Sequence, residues 1–284
     1  MRLITYDDIA TTIRRNVWKV PSDVDLIVGV PRSGMIAALM LSELTQKPVA
    51  DVETFMAGRT MECGGRSGLM PKSDIRKVLV LDDTVFYGRA MTDVRARLAP
   101  LAYRYTFVFG CIYTCGEKSR KLVDIYFDDV EGNQPVAYEW NILHHYETLT
   151  EHTMWDIDGL LCKEPPWDCY KEQYEAYLRD PVPMVIPTTR IGAIVTYRLE
   201  KYRDVTEEWL KRMGINYDHL IMYPAETPEE RNRTCPPYKF KAMIYTEITW
   251  AKLFYESNDE QARNIARLAC KPVFSYESGR IFNP

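Results

Sequence analysis

Two pairs of carboxylates in this sequence sit where chemistry can be done. In "VLVLDDTVFYGRAM" (78–91), four apolar residues run into Asp82 and Asp83, and a short loop with one glycine leads to a segment of helical spacing. Adjacent carboxylates can accept hydrogen bonds from vicinal hydroxyls. The amides of the Val85–Arg89 loop and of the helix that follows can cradle a phosphate. A phosphorylated sugar satisfies both halves of the stretch; the competing reading is that the acids cap the helix and lie solvated. In "MWDIDGLLC" (154–162), Asp156 and Asp158 stand two apart at a strand end, so alternation points both carboxylates the same way. Taken alone, such a pair also occurs in plain turns.

Strands and helices must hold these acids in place, and the sequence supplies them alternately. "DLIVGV" (25–30) reads as a buried strand followed by the helical spacing of "PRSGMIAALMLSEL"; "VLVL" (78–81) is a second strand with "RAMTDVRARLA" after it; "YTFVFGCIYTC" (105–115) is a third. Segment 56–77 has glycines, basic residues and little periodicity, which predicts a long loop or flap. After a polar passage at 146–153, strand-like "MWDI", "AIVTY" (193–197) and "AKLFYE" (251–256) alternate with helical "EKYRDVTEEWLKRMGI" and "DEQARNIARLA", ending on "KPVFSY". The expected fold is α/β, two Rossmann-like domains with mostly parallel sheets, spanning 1–150 and 151–284. Such sheets bind ligands beyond the C-terminal ends of their strands, where both acid pairs fall.

Composition narrows the function classes. With 284 residues, 46% of them apolar, the chain can bury two cores. A formal charge of −4 gives no general attraction to nucleic acid or to an anionic membrane. No run approaches the roughly 20 apolar residues that span a bilayer, and acids come too early in "MRLITYDDIATTIRR" for a signal peptide. The expectation is a cytoplasmic protein that is not an integral membrane protein and has no nucleic-acid partner. The seven cysteines show no tight pairing; Cys111 and Cys115 read as buried thiols rather than a zinc site. Adjacent His144 and His145 would face opposite ways on a strand, which suits packing better than joint metal ligation, and Trp140 reads as a core or interface residue.

The 78–91 stretch resembles the PRPP signature of type I phosphoribosyltransferases: a hydrophobic strand, two acids, then a small-residue loop ending in glycine. The resemblance implies that Asp82 and Asp83 hold the ribose 2- and 3-hydroxyls, and that Thr84, Val85, Phe86, Tyr87, Gly88 and Arg89 form the 5-phosphate loop. "GVPRSGM" looks like the family's pyrophosphate loop, placing Arg32, Ser33 and Gly34 against the leaving group. Segment 56–77 falls where the family keeps a catalytic flap, with Arg59 and Arg66 as its phosphate-contacting candidates. The chain departs from the pattern at Tyr87, where the loop usually carries Thr or Ser.

"MWDIDGLLC" resembles motif I of the haloacid dehalogenase (HAD) phosphatases. The resemblance implies that Asp156 attacks phosphorus, Asp158 acts as general acid/base and Mg²⁺ shields the charge. It further places Thr196 at the phosphate-binding motif and Lys241 (or Lys239) as the charge-neutralising lysine. Glu256 is then a metal ligand, with Asn258 or Asp259 completing the set, so the metal set expected is Asp156, Asp158, Glu256 and Asn258. Fewer than forty residues separate Asp158 from Thr196, too few for a large cap domain.

Together the halves resemble fused phosphoribosyltransferase–HAD proteins associated with bacterial polysaccharide clusters and ribofuranose biosynthesis. That implies transfer of 5-phosphoribose from PRPP to a glycan or lipid-linked glycan acceptor, then removal of the 5-phosphate; the reading admits a homodimer. Two other readings stay open. One is a nucleobase phosphoribosyltransferase paired with a nucleotidase, although "FGCIYTCGEKSRK" offers no clear base-recognition segment. The other is a PRPP-binding regulator with a non-catalytic appendage, which an intact Asp156/Asp158 pair opposes.

Overall fold

A computed structural model describes residues 1–61, 75–130, 135–144, 151–166 and 171–284. The chain forms two units, Ile4–Val136 and a second made of Met1–Leu3 with Ala137–Pro284. The division falls earlier than the boundary expected at 150, for a packing reason. Ala137 and Ile142 are buried in the second unit's core with Trp155 and Tyr255, and Met1 and Leu3 pack against that same core. The Tyr255 hydroxyl also donates to the carbonyl of Ile142 at 2.7 Å.

In chain order, the first elements are β1 (Arg2–Ile4), α1 (Tyr6–Asn16), β2 (Leu26–Gly29), α2 (Gly34–Thr45), β3 (Val49–Asp51) and α3 (Val52–Met56). After them come β4 (Lys77–Val85), α4 (Arg89–Leu98), β5 (Thr106–Thr114), α5 (Glu117–Arg120), β6 (Ile125–Asp129) and β7 (Val136–Tyr138). Five of the strands form a parallel sheet in the order β3-β2-β4-β5-β6, and β1 pairs with β7 alone. Val78 to Leu81 have no exposed surface, as expected where helices cover both faces of a parallel sheet. Thr5 starts α1 with a reciprocal cap: its hydroxyl accepts from the Asp8 amide, and the Asp8 carboxylate accepts from the Thr5 amide.

The second unit contains β8 (Thr153–Trp155), α6 (Lys171–Arg179), β9 (Ile191–Leu199), α7 (Arg203–Arg212), β10 (Tyr217–Tyr223) and α8 (Pro228–Thr234). They are followed by α9 (Pro237–Glu247), β11 (Leu253–Glu256), α10 (Asp259–Ala269), β12 (Val273–Ser275) and β13 (Arg280–Phe282). Its sheet runs β10-β9-β8-β11-β12-β13, parallel except for the last pair. Both sheets are therefore α/β and mostly parallel, as expected.

Three expected boundaries moved. β4 does not stop at Leu81: β5 is equally long and pairs with it through Asp82, Thr84 and Val85. In the expected 56–77 loop, Met56 ends α3 and Lys77 opens β4, and residues 62–74 lie outside the described ones. β8 ends at Trp155, so period-two alternation no longer relates Asp156 to Asp158.

Strand order locates the clefts. From β2 the chain goes outward to β3, then returns to place β4 on the other side of β2. From β8 it goes outward through β9 and β10, then returns to place β11 beside β8. Successive connections thus diverge between β2 and β4 and again between β8 and β11. Such switch points leave a crevice at the carboxyl ends of the two central strands.

Candidate functional site

At the first switch point, Asp82 and Asp83 are each 7% exposed. Ser33, just beyond β2, donates its hydroxyl to Asp83 Oδ1 at 2.9 Å, while Asp82 Oδ1 accepts the Asp83 amide at 2.9 Å. Burial, then the neighbouring negative charge of Asp83, pushes the Asp82 carboxyl well above the usual range. Gly34 makes this close approach possible. A Cβ there would stand 2.9 Å from both Asp82 Oδ1 and the Leu81 carbonyl oxygen, and 3.0 Å from Asp82 Cα. Gly34→Ala must therefore displace backbone, and a loss of about 1–3 kcal/mol in urea unfolding is expected.

The loop beyond is shorter than expected. Thr84 and Val85 belong to β4: Val85 is buried in the core, and the Thr84 hydroxyl is buried without a hydrogen-bond partner. The loop proper is Phe86–Gly88, and it turns both aromatic rings outward, Phe86 at 51% and Tyr87 at 80% exposure. The two rings pack edge to face at 4.6 Å. Gly88 has φ +72°, in the left-handed region, and a Cβ on it would stand 2.4 Å from Leu122 Cδ1. No side chain caps α4, so its first-turn amides remain available to an anion. Arg89 and Arg32 are exposed at the starts of α4 and of the β2–α2 connection, where the Pro31–Arg32 peptide is cis. Arg59 is exposed beyond α3, and Arg66 lies outside the described residues.

At the second switch point, β8 leads into Asp156 and β11 ends on Glu256. The two residues are 4% and 0% exposed, and Lys241 of α9, 2% exposed, bridges their carboxylates. Its Nζ donates to Asp156 Oδ2 at 2.7 Å and to Glu256 Oε2 at 2.8 Å. The second oxygens take backbone amides, Asp156 Oδ1 from Ile157 and Glu256 Oε1 from Ser257. Beneath the acids, Trp155 and Tyr255 stack at 4.2 Å and fix the two strands. Burial would push Lys241 down, but the two carboxylates more than reverse this, so the ammonium stays charged. Burial drives Asp156 up against the pull of Lys241. Lys239, the alternative lysine, is exposed.

Asp158 does not join this cluster. Arg198 grips it with two bonds, Nε to Oδ2 at 3.0 Å and Nη2 to Oδ1 at 2.6 Å, and the Tyr177 hydroxyl donates to Oδ1 at 2.6 Å. Arg198 is 1% exposed on β9, so the pair is fixed inside the fold. Burial alone would raise the Asp158 carboxyl, yet Arg198 holds it below the usual carboxylate range. A carboxyl so held carries no proton at neutral pH, which opposes the general-acid role expected of it. Thr196 is fully buried within β9, and its hydroxyl accepts the Arg198 amide at 3.2 Å instead of lying free at the strand end.

The expected Mg²⁺ donor set is not assembled by these side chains. Asn258 Oδ1 caps α10, accepting from the Glu260 and Gln261 amides at 3.0 Å each, and its Nδ2 donates to Glu277. Asp158 is spent on Arg198 and Tyr177, leaving Asp156 and Glu256 with Lys241 between them. Among the described residues, no group of three or more His, Cys, Asp or Glu is placed to hold a metal ion.

No family model matches the chain. Over 88 residues, 26% of this chain, it is 33% identical to an amidophosphoribosyltransferase of Synechococcus elongatus, and the match spans 18% of that relative's length. The xanthine-guanine-hypoxanthine phosphoribosyltransferase of Helicobacter pylori aligns over 50% of this chain and 93% of its own, with 15% identity and a TM-score of 0.36. A purine phosphoribosyltransferase from Pyrococcus horikoshii aligns over 49% and 92%, with 20% identity and a TM-score of 0.33.

Sequence reasoning missed Arg198 and Tyr177. A signal for the first was present: "AIVTYRL" sets one arginine in an otherwise uncharged strand, and a buried guanidinium requires a carboxylate partner. Of the remaining candidates, His144 Nδ1 lies 3.5 Å from the Thr188 hydroxyl, and His145 is outside the described residues. Cys111 is a buried thiol, as expected; burial, then the Asp82 charge, pushes it up. No described helix is long and apolar enough to cross a membrane.

Proposed function

We propose that the first unit transfers 5-phosphoribose from PRPP to an acceptor and that the second removes the 5-phosphate as an aspartate-based phosphatase. One observation carries the first half: two nearly buried acids and the Ser33 hydroxyl meet at a switch point beside an uncapped helix N-terminus. Asp82 and Asp83 would accept the ribose hydroxyls, the first-turn amides of α4 and Arg89 the 5-phosphate, and Arg32 the departing pyrophosphate. The likeness of an 88-residue stretch to an amidophosphoribosyltransferase supports this reading. In the second half, the Asp156 carboxylate would attack phosphorus, with Lys241 neutralising charge. A ribofuranosyl unit on a glycan or lipid-linked glycan is the product class we favour.

A second reading, nucleobase phosphoribosyl transfer, is favoured by the outward-turned rings of Phe86 and Tyr87, which offer a flat base a stacking surface. Incubation with PRPP and either cell-derived glycan acceptors or free purines and orotate, following pyrophosphate, separates the two. With the accepting compound, Asp156→Asn should still release pyrophosphate but no orthophosphate, because an amide forms no aspartyl-phosphate. Its product should be heavier than the wild-type product by one phosphate in the mass spectrum. Equal masses would remove the second half of the proposal.

A further inference from the structure

Beside the Asp156–Lys241–Glu256 cluster stands a third carboxyl that this chemistry has not yet used. Gly159 follows Asp158 with φ +78°, and the space a side chain would occupy there is filled from two directions. Glu164 Oε1 lies 2.6 Å, and Ser257 Cβ likewise 2.6 Å, from where a Cβ on Gly159 would be. Ser257 follows Glu256 directly, and its hydroxyl donates to Glu256 Oε1 at 3.0 Å. Glu164 is hydrogen-bonded to Ser257 and lies within the fields of Asp158, Lys241 and Glu256. Much of the residue reaches solvent, but its carboxyl end is turned in over Gly159.

Hydrolysis of an alkyl phosphate needs a proton for the departing oxygen, and Asp158 cannot supply one while Arg198 and Tyr177 hold both its oxygens. We infer that Glu164 is the proton donor to the leaving group in the second unit. The inference rests on the phosphatase reading of that unit. In the first step an Asp156 oxygen forms a bond to phosphorus and the ester O–P bond breaks. The departing alkoxide takes the proton of the Glu164 carboxyl and leaves as the alcohol. In the second step water attacks phosphorus and the Asp156 O–P bond breaks; orthophosphate leaves as H₂PO₄⁻, carrying both protons of the water, and the Glu164 carboxylate regains its proton from solvent. Burial of its carboxyl, then the charge of Asp158, pushes Glu164 above the usual range, the direction a proton donor needs.

The test uses the full chain and two esters that differ in their need for a proton. From ribose 5-phosphate the departing group is the strongly basic ribose O5 alkoxide, whereas from p-nitrophenyl phosphate it is the stable p-nitrophenolate. Glu164→Gln should lower kcat on ribose 5-phosphate by about 10²–10⁴-fold with KM unchanged, and leave kcat on the aryl ester nearly untouched. Glu164→Asp should recover part of the alkyl-ester rate, and thermal unfolding should report an intact fold for both variants. A loss equal on both esters, or no loss on either, overturns the assignment while the phosphatase reading stands. Wild-type activity on the aryl ester alone also overturns it, since no leaving group is then being protonated. Wild-type protein that hydrolyses neither ester overturns the phosphatase reading, and the donor with it.

Discussion

Lys241→Met is expected to destabilise the second unit by about 3–5 kcal/mol, a large part of the stability of an ordinary domain. The side chains are of similar length, so packing changes little; what changes is charge. Asp156 and Glu256 are 4% and 0% exposed, and Lys241 is the cation bonded to both at 2.7 and 2.8 Å. Removing it leaves two buried carboxylates facing one another. Urea unfolding followed by tryptophan fluorescence measures the loss, since Trp155 lies beneath the cluster. Adding Glu256→Gln to Lys241→Met should restore part of it, because one uncompensated charge goes with the substitution. Strict additivity of the two changes would show that the three groups do not act as one network.

Asp82→Asn combined with Asp83→Asn is expected to abolish measurable PRPP binding by the first unit. Each carboxylate would lose a charge-assisted bond to a sugar hydroxyl, at about 1.5–3 kcal/mol apiece, so affinity falls by roughly 10²–10⁴-fold. The fold should survive, because the amide keeps the acceptor oxygen that Ser33 and the Asp83 amide use. Calorimetric titration of PRPP in Mg²⁺ buffer is the measurement, with thermal unfolding as the control. An unchanged dissociation constant in a folded variant would remove the ribose-binding role from these acids.

The alternation of strands and helices was legible in the sequence because a parallel sheet covered on both faces needs continuous apolar runs, and "DLIVGV" and "VLVL" are such runs. Asp82, Asp83, Asp156 and Glu256 were legible because charge cannot follow a buried run without marking a strand end or a site. What escaped was set by partners far along the chain. Thr84 and Val85 look like loop residues until β5 is known to be long enough to pair with them. Asp158 looks like the companion of Asp156 until Arg198, forty residues on, takes both its oxygens. Asn258 looks like a ligand because it follows an acid, yet its position just before α10 makes it a helix cap first. Glu164 carries no local signal, since its meaning comes from the place its carboxyl takes over Gly159, beside Ser257.

Met1–Leu3 packs with Ala137–Pro284, while everything from Ile4 to Val136 belongs to the other unit. In connectivity, one unit is inserted into the other between Leu3 and Ala137. Vectorial synthesis then imposes an order. The guest has all its residues as soon as Val136 has emerged from the ribosome, whereas Met1–Leu3 must wait for partners as late as Asn283, whose side-chain oxygen accepts from the Met1 nitrogen. A nascent chain whose residues through Val136 have emerged should therefore already resist protease in its guest portion, while Met1 and Leu3 still lack the core they pack against.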